Sequence, residues 1–121
     1  MSVVNRVHIE YSETEMSNEM LVSMAKSGDV NAFVELIKRH ADKVFQATYR
    51  VTRNQQDTED ALQESFLRAF IHMKGFQERS SFSTWLTRIA INSALMILRK
   101  KRSSSEISID RTDGSAGDFE T

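Results

Sequence analysis

The sequence predicts an all-α domain, a compact bundle of about four helices with a flexible lead-in and a linker-like tail. Three observations carry that prediction. Apolar residues recur at i, i+3, i+4 spacing in four separate stretches. Capping residue types, glycines or polar breaks punctuate those stretches. The chain contains no proline, so nothing interrupts a helix once it has started. With 121 residues there is room for one domain with one modest core, and not for two ordinary ones.

Residues 1–13 contain VNRVHIEY, which alternates weakly and has no partner strand elsewhere, so they read as a flexible lead-in. The helical domain is expected over 14–102. Its first helix carries Met16, Met20, Leu21 and Met24 at helical spacing, with Gly28 as its stop. These methionines read as core filler. Asp29 suits the N-cap of a second helix of about 23 residues. Its inner face holds Phe33, Leu36, Ile37, Val44, Thr48 and Val51. TRNQQD breaks it, and Asp57 is the expected cap of the third helix, with Glu59 and Asp60 where the helix dipole favours acids. Leu62, Phe66, Ala69, Phe70 and Met73 form the apolar face of that helix, and Gly75 ends it. Ser81 or Ser83 caps the fourth, whose inner stripe is Phe82, Trp85, Leu86, Ile89, Ala90 and Ile97. Residues 103–121 are rich in serine, glycine and acids and read as a linker or disordered tail.

Composition narrows the function. There is no cysteine, so disulfide frameworks and thiolate metal sites are excluded. No apolar run approaches the roughly 20 residues that span a bilayer, and no signal-peptide layout opens the chain. Membrane insertion is therefore not expected. The net charge of −1 hides a segregation. Residues 31–103 hold thirteen bases against seven acids, a net +6, between ends of −3 and −4. A basic body between acidic ends points to a polyanionic partner. His8, His40 and His72 have no metal-ligand spacing, and no nucleophile-and-base set or phosphate cradle stands out. No enzyme activity, catalytic residue, metal or cofactor is expected.

Two stretches carry chemistry. In DTEDALQESF, Asp57, Asp60, Gln63 and Glu64 form an acidic and amide-bearing stripe opposite Leu62, Phe66 and Ala69. Such a stripe can dock a basic protein surface; taken alone it also reads as an ordinary solvated helix face. In FQERSSFSTWLTRIAIN, a polar loop with an aromatic precedes the only tryptophan, and the helix that follows ends in Arg99, Lys100, Lys101 and Arg102. Aromatic rings stack unpaired bases at about 1–3 kcal/mol each, while basic side chains hold phosphates without reading sequence. Loop and helix together can grip a single strand. Phe82 and Trp85 sit on the inner stripe and read as core; Phe76 stays open at this point.

Taken in order over about residues 28–102, the stretches GDVNAFVELIKRHADKVFQATYRVTRN, DTEDALQESFLRAF and FQERSSFSTWLTRIAINSALMILRKKR resemble region 2 of bacterial RNA polymerase sigma factors of the extracytoplasmic-function (ECF) group. The family commonly shows Asp-Ala-Glu-Asp followed by Gln-Glu and Phe, matched by Asp57-Thr58-Glu59-Asp60 and by Gln63, Glu64 and Phe66. It also shows Phe-x-Thr-Trp-Leu, then Arg-Ile-Ala and Asn, matched by Phe82-Ser83-Thr84-Trp85-Leu86, Arg88-Ile89-Ala90 and Asn92. The resemblance implies a cytoplasmic bacterial protein that binds core RNA polymerase and recognises and melts the −10 promoter element in transcription initiation. It implies docking of Asp57, Asp60, Gln63 and Glu64 on the β′ clamp helices. It also implies a flipped base held by Phe76, Gln77, Glu78, Arg79, Ser80 and Ser81, and a non-template strand tracked by Arg88, Asn92, Arg99, Lys100, Lys101 and Arg102. An anti-sigma factor is a further implied partner.

Two departures stand out. Where the family often has Phe-Arg-Gly-Asp-Ser, this chain has Phe76-Gln77-Glu78-Arg79-Ser80, without the glycine. Family members also usually continue into a helical domain that reads the −35 element, whereas an acidic linker-like segment follows here. Two other function classes make different demands on the sequence. A helical protein-interaction module would bind nucleic acid weakly and without salt sensitivity. A duplex-binding helix-turn-helix regulator needs a short recognition helix after a tight turn, which the long helix after Ser81 disfavours.

Overall fold

The computed structural model describes residues 16–109, with side chains described to residue 104. Four helices follow in order: α1 (Asn18–Lys26), α2 (Val30–Thr52), α3 (Gln55–His72) and α4 (Phe82–Ile109). A single 3-10 turn, Met73–Gly75, closes α3. The described residues contain no strand, so the all-α bundle expected from the sequence is the observed fold.

Local chemistry sets each boundary. Ser17 caps α1 by accepting from the Met20 amide at 3.1 Å. The helix ends by turning through Gly28 at φ +105°, a conformation that suits glycine. There the Asp29 amide donates to the Met24 carbonyl and the Gly28 amide to that of Ala25, both at 3.0 Å, which completes a Schellman motif. Asp29 then caps α2 by accepting from the Ala32 amide at 3.1 Å, as its sequence position predicts. One residue thus finishes one helix and starts the next.

The start of α3 differs from expectation. Asn54 is the N-cap, accepting from the Asp57 amide at 2.8 Å, and Asp57 lies inside the first turn. The Thr52 and Thr58 hydroxyls, 2.6 Å apart, brace this corner from both sides. At α4, Ser81 takes the cap position by accepting from the Thr84 amide at 3.2 Å, and Ser83 is buried within the first turn. The helix does not stop at Arg102 but continues to Ile109, into the segment read as linker. The predicted lead-in at 1–13, and the predicted tail from residue 110 onward, lie outside the described residues.

The core gathers Leu21, Val22 and Ala25 from α1, Phe33, Leu36 and Val44 from α2, Leu62 and Ala69 from α3, and Phe82, Leu86 and Ala90 from α4. Met16 and Met24 pack against it, whereas Met20 points outward at 52% exposure. Phe70 is also largely outward, touching the core only edge-on through Phe33 at 5.3 Å between ring centroids. Helix α4 packs on both α2 and α3. Small residues are buried on its face (Ser93, Ala94) and on α3 (Ala61, Ser65, Ala69), where they let helix backbones approach closely. Arg39 fastens α1 to α2, donating to the Met16 carbonyl at 2.8 Å and the Asn18 side chain at 3.1 Å, while also pairing with Glu35.

Candidate functional site

Two separate surfaces present the residues singled out in the sequence. The first is the outer face of α3. Asp60, Gln63 and Glu64 are all exposed and lie on one side of the helix. Their side chains are held locally: Asp60 accepts from Gln56 at 3.0 Å, and Glu64 pairs with Arg68 at 2.8 Å. Asp57 does not belong to this stripe. It is 7% exposed, and its carboxylate accepts from the Lys101 ammonium at 2.8 Å. Three turns of helical geometry carry the same outer face on to Leu67 and Ile71, exposed at 61% and 64%. This outer face of α3 therefore has an acidic head and an apolar foot. The sequence reading left Leu67 and Ile71 off the apolar face of this helix and gave them no role.

The second surface is the loop 76–81 with the helix beneath it. Phe76, open in the sequence, is 4% exposed. Its ring stacks on Trp85 at 4.6 Å and meets Phe82 edge-on at 6.1 Å. It is an anchor for the loop and offers no free face to a base. Gln77, Glu78 and Arg79 project into solvent, Ser80 is half-buried and Ser81 caps α4. Glu78 adopts a left-handed backbone at φ +60°. The Lys26 ammonium reaches across from α1 to the Phe76 carbonyl at 2.6 Å and to the Glu78 carboxylate at 3.4 Å. Between the loop and α4 lies a solvent-open cavity of about 250 Å³, bounded by residues 75–80 with Trp85 and Arg88. A second hollow of about 390 Å³ opens on the other side of the loop, toward Asn18, Glu19 and Val22 of α1.

Along α4, helical geometry puts Arg88, Asn92, Arg99 and Arg102 on one face, with the half-exposed Leu95 between them. Lys100 lies to the side. Lys101 falls on the opposite side, where it meets Asp57, so the basic end is split between the outer track and an internal tie. Arg88 also borders a groove of about 390 Å³ between α2 and α4, whose other wall carries Lys43, Gln46 and Arg50. Sequence reading missed these three. Their i, i+3, i+7 spacing on the polar side of α2 was the available signal.

One histidine is perturbed. Burial pushes the His40 imidazole below its ordinary 6.5, and Lys43 and Arg39 push it further down. Its Nε2 is buried without a hydrogen-bond partner, and its ring lies 5.8 Å from that of Phe82. Among the described residues no group of acids and histidines could hold a metal ion. No described helix is long and apolar enough to cross a membrane.

The family model described as Sigma-70 region 2 matches residues 36–104, more than half of the chain. The chain belongs to the sigma-70 region 2 family. It is also similar to individual ECF sigma factors. It is 38% identical over 88 residues to the ECF RNA polymerase sigma factor SigW of Bacillus subtilis, covering 73% of this chain and 47% of that protein. It is 40% identical over 67 residues to SigE of Mycolicibacterium smegmatis, covering 55% of this chain and 26% of that protein. It is 40% identical over 81 residues to the sigma-E factor of Haemophilus influenzae, covering 66% and 42%. The aligned part spans less than half the length of each of these relatives. The matched residues include, in order, the acidic helix α3, the aromatic-anchored loop and the long helix α4 with its basic end.

Proposed function

We propose that this domain docks on core RNA polymerase and recognises and melts the −10 promoter element in the bacterial cytoplasm. Asp60, Gln63 and Glu64, extended by Leu67 and Ile71, engage the β′ clamp helices. Gln77, Arg79 and Ser80 read a base that leaves the stack and enters the cavity over Trp85 and Arg88. Arg88, Asn92, Arg99 and Arg102 then follow the non-template strand, with Lys43 and Arg50 adding charge along the α2–α4 groove. Asp57 and Lys101 serve this surface from inside, by fixing α4 to α3.

The observation that carries the reading is the cavity itself, lying between the polar loop and α4 with Arg88 at its edge. A splayed base needs hydrogen-bonding groups around it and positive charge for its phosphates. Both are present, and Arg88, Arg99 and Lys100 make no ion pair among the described residues. The exposed apolar patch of Leu67, Phe70 and Ile71, with Val30 and Val34 of α2, supports a protein partner as well, and an anti-sigma factor is the cover the resemblance implies.

Fluorescence anisotropy with a single-stranded −10-type oligonucleotide library, compared with duplex and with core polymerase present or absent, tests the DNA half. Sequence-dependent single-strand binding that polymerase strengthens and Asn92→Ala abolishes is the expected result; duplex preference would refute it. The docking half is tested by Leu67→Ser with Ile71→Ser. This pair is expected to weaken polymerase binding about tenfold or more while leaving the melting temperature unchanged. Unchanged polymerase affinity would remove the apolar foot from the docking surface.

A further inference from the structure

We infer that Lys26 is a positioning residue for the loop 76–81, and that its strut to Phe76 and Glu78 does here what a glycine does in related loops. The inference rests on the base-pocket reading above. Its first support is the backbone. Glu78 stands where the family's common Phe-Arg-Gly-Asp-Ser pattern has glycine, and it holds φ +60°. An L side chain disfavours that conformation on the order of tenfold in population, a cost that glycine escapes. The loop therefore keeps a glycine-type turn without its glycine, and something else must hold it.

Lys26 is the last residue of α1 and comes from 50 residues away in sequence to reach the Phe76 carbonyl. That contact, at 2.6 Å and part-buried, is the stronger arm of the strut. The arm to Glu78 is 3.4 Å long, between side chains exposed at 30% and 49%, so it adds little on its own. Its use is different. Glu78 lines both hollows beside the loop, and an unpaired carboxylate at that rim would repel a phosphate chain. The Lys26 ammonium turns the carboxylate back toward α1 and offsets its charge. The loop is then pinned at three places: the Phe76 ring on Trp85, the Phe76 carbonyl and Glu78 on Lys26, and Ser81 on the Thr84 amide.

A double-mutant cycle tests this, using Lys26→Ala, Glu78→Gly and the pair, with Lys26→Arg as the conservative control. One readout is hydrogen exchange at the Phe76 and Thr84 amides, which donate to the Met73 carbonyl and the Ser81 hydroxyl at the two ends of the loop. The other, with core polymerase present, is the affinity for a single-stranded −10-type oligonucleotide relative to the same strand made abasic at the flipped position. In the Glu78 background, Lys26→Ala is expected to speed exchange and to weaken base-dependent binding, each about tenfold. In the Glu78→Gly background the same change is expected to cost about threefold or less, and Lys26→Arg to stay close to wild type. Equal losses in both backgrounds, or exchange rates that Lys26→Ala leaves unchanged, would overturn the inference. If the wild-type domain does not distinguish the intact strand from the abasic one, the base-pocket reading fails, and the exchange cycle alone still decides whether Lys26 positions the loop.

Discussion

Truncating Phe76 separates two roles that the sequence left undivided. A base-stacking ring and a loop anchor both call for an aromatic at this position, but they predict opposite phenotypes. Phe76 is 4% exposed, stacks on Trp85 and touches Phe82. Removing a buried phenyl group costs about 3–5 kcal/mol, and the lost ring pairing accounts for part of that beyond area burial. Because Phe76 sits in a loop that can collapse toward the gap, the lower end applies, about 3 kcal/mol. For a domain of this size that corresponds to a fall of roughly 12–24 °C in melting temperature. Phe76→Leu keeps most of the buried area and is expected to cost only about 1 kcal/mol. Thermal unfolding followed by circular dichroism reads both variants, and single-strand anisotropy well below the transition reads the loop. An anchor gives a large loss of stability for alanine, with binding retained in the leucine variant. A stacking platform gives the reverse, with little loss of stability and about 1–3 kcal/mol of affinity lost in both. A melting temperature for Phe76→Ala within about 2 °C of wild type would refute the burial argument.

Two further outcomes follow from particular contacts. Lys101→Ala is expected to lower stability by about 1–2 kcal/mol, because it leaves the nearly buried Asp57 carboxylate without its cation. Asp57→Asn is expected to cost less, since the lysine left behind is largely exposed and hydrates; urea midpoints that reverse this order would contradict the assignment. His40 makes stability depend on pH. Its folded pKa lies below 6.5, so the unfolded chain takes up a proton first as the solution is acidified. Its contribution is fully present above 6.5 and is lost as pH falls from there toward the lowered value. His40→Gln is therefore expected to flatten the fall in urea midpoint between about pH 7 and pH 5; an equally steep fall in the variant would assign it to other groups.

The helices were legible where local chemistry decides them. Asp29 and the i, i+3, i+4 pattern after it defined α2 at both ends, because capping and periodicity are properties of neighbours in sequence. The third cap was misread because Asn54 and Asp57 are both capping types three residues apart. What separates them is Lys101, a partner 44 residues downstream that draws Asp57 inward. The same long-range contact divides a basic run that looked uniform. Leu67 and Ile71 were overlooked for another reason: they fell outside the inward stripe, and the pattern says nothing of exposed apolar residues beyond it. Phe76 needed the positions of Trp85 and Phe82 before its burial could be known. Glu78 gave a visible clue, a missing glycine, but only the backbone shows that the residue holds a left-handed φ.

The two proposed surfaces lie on helices that pack directly against each other, and that bears on how the domain acts. The docking stripe is on α3 and the strand track on α4, and these two helices share a seam of small buried residues. The Asp57–Lys101 pair closes one end of that seam, joining the first turn of α3 to the far part of α4. At its other end the 3-10 turn and Phe76 hand the chain from α3 to the loop, and Ser81 hands it on to α4. In the proposed reading, a partner held on the outer face of α3 sits on a helix packed directly against the one that carries the basic track. On that reading, the helical backbone that carries the basic track is ordered when the domain folds, before any strand binds. Lys26 extends the same logic to the loop 76–81, where the proposed path presents side chains from irregular backbone held from three directions.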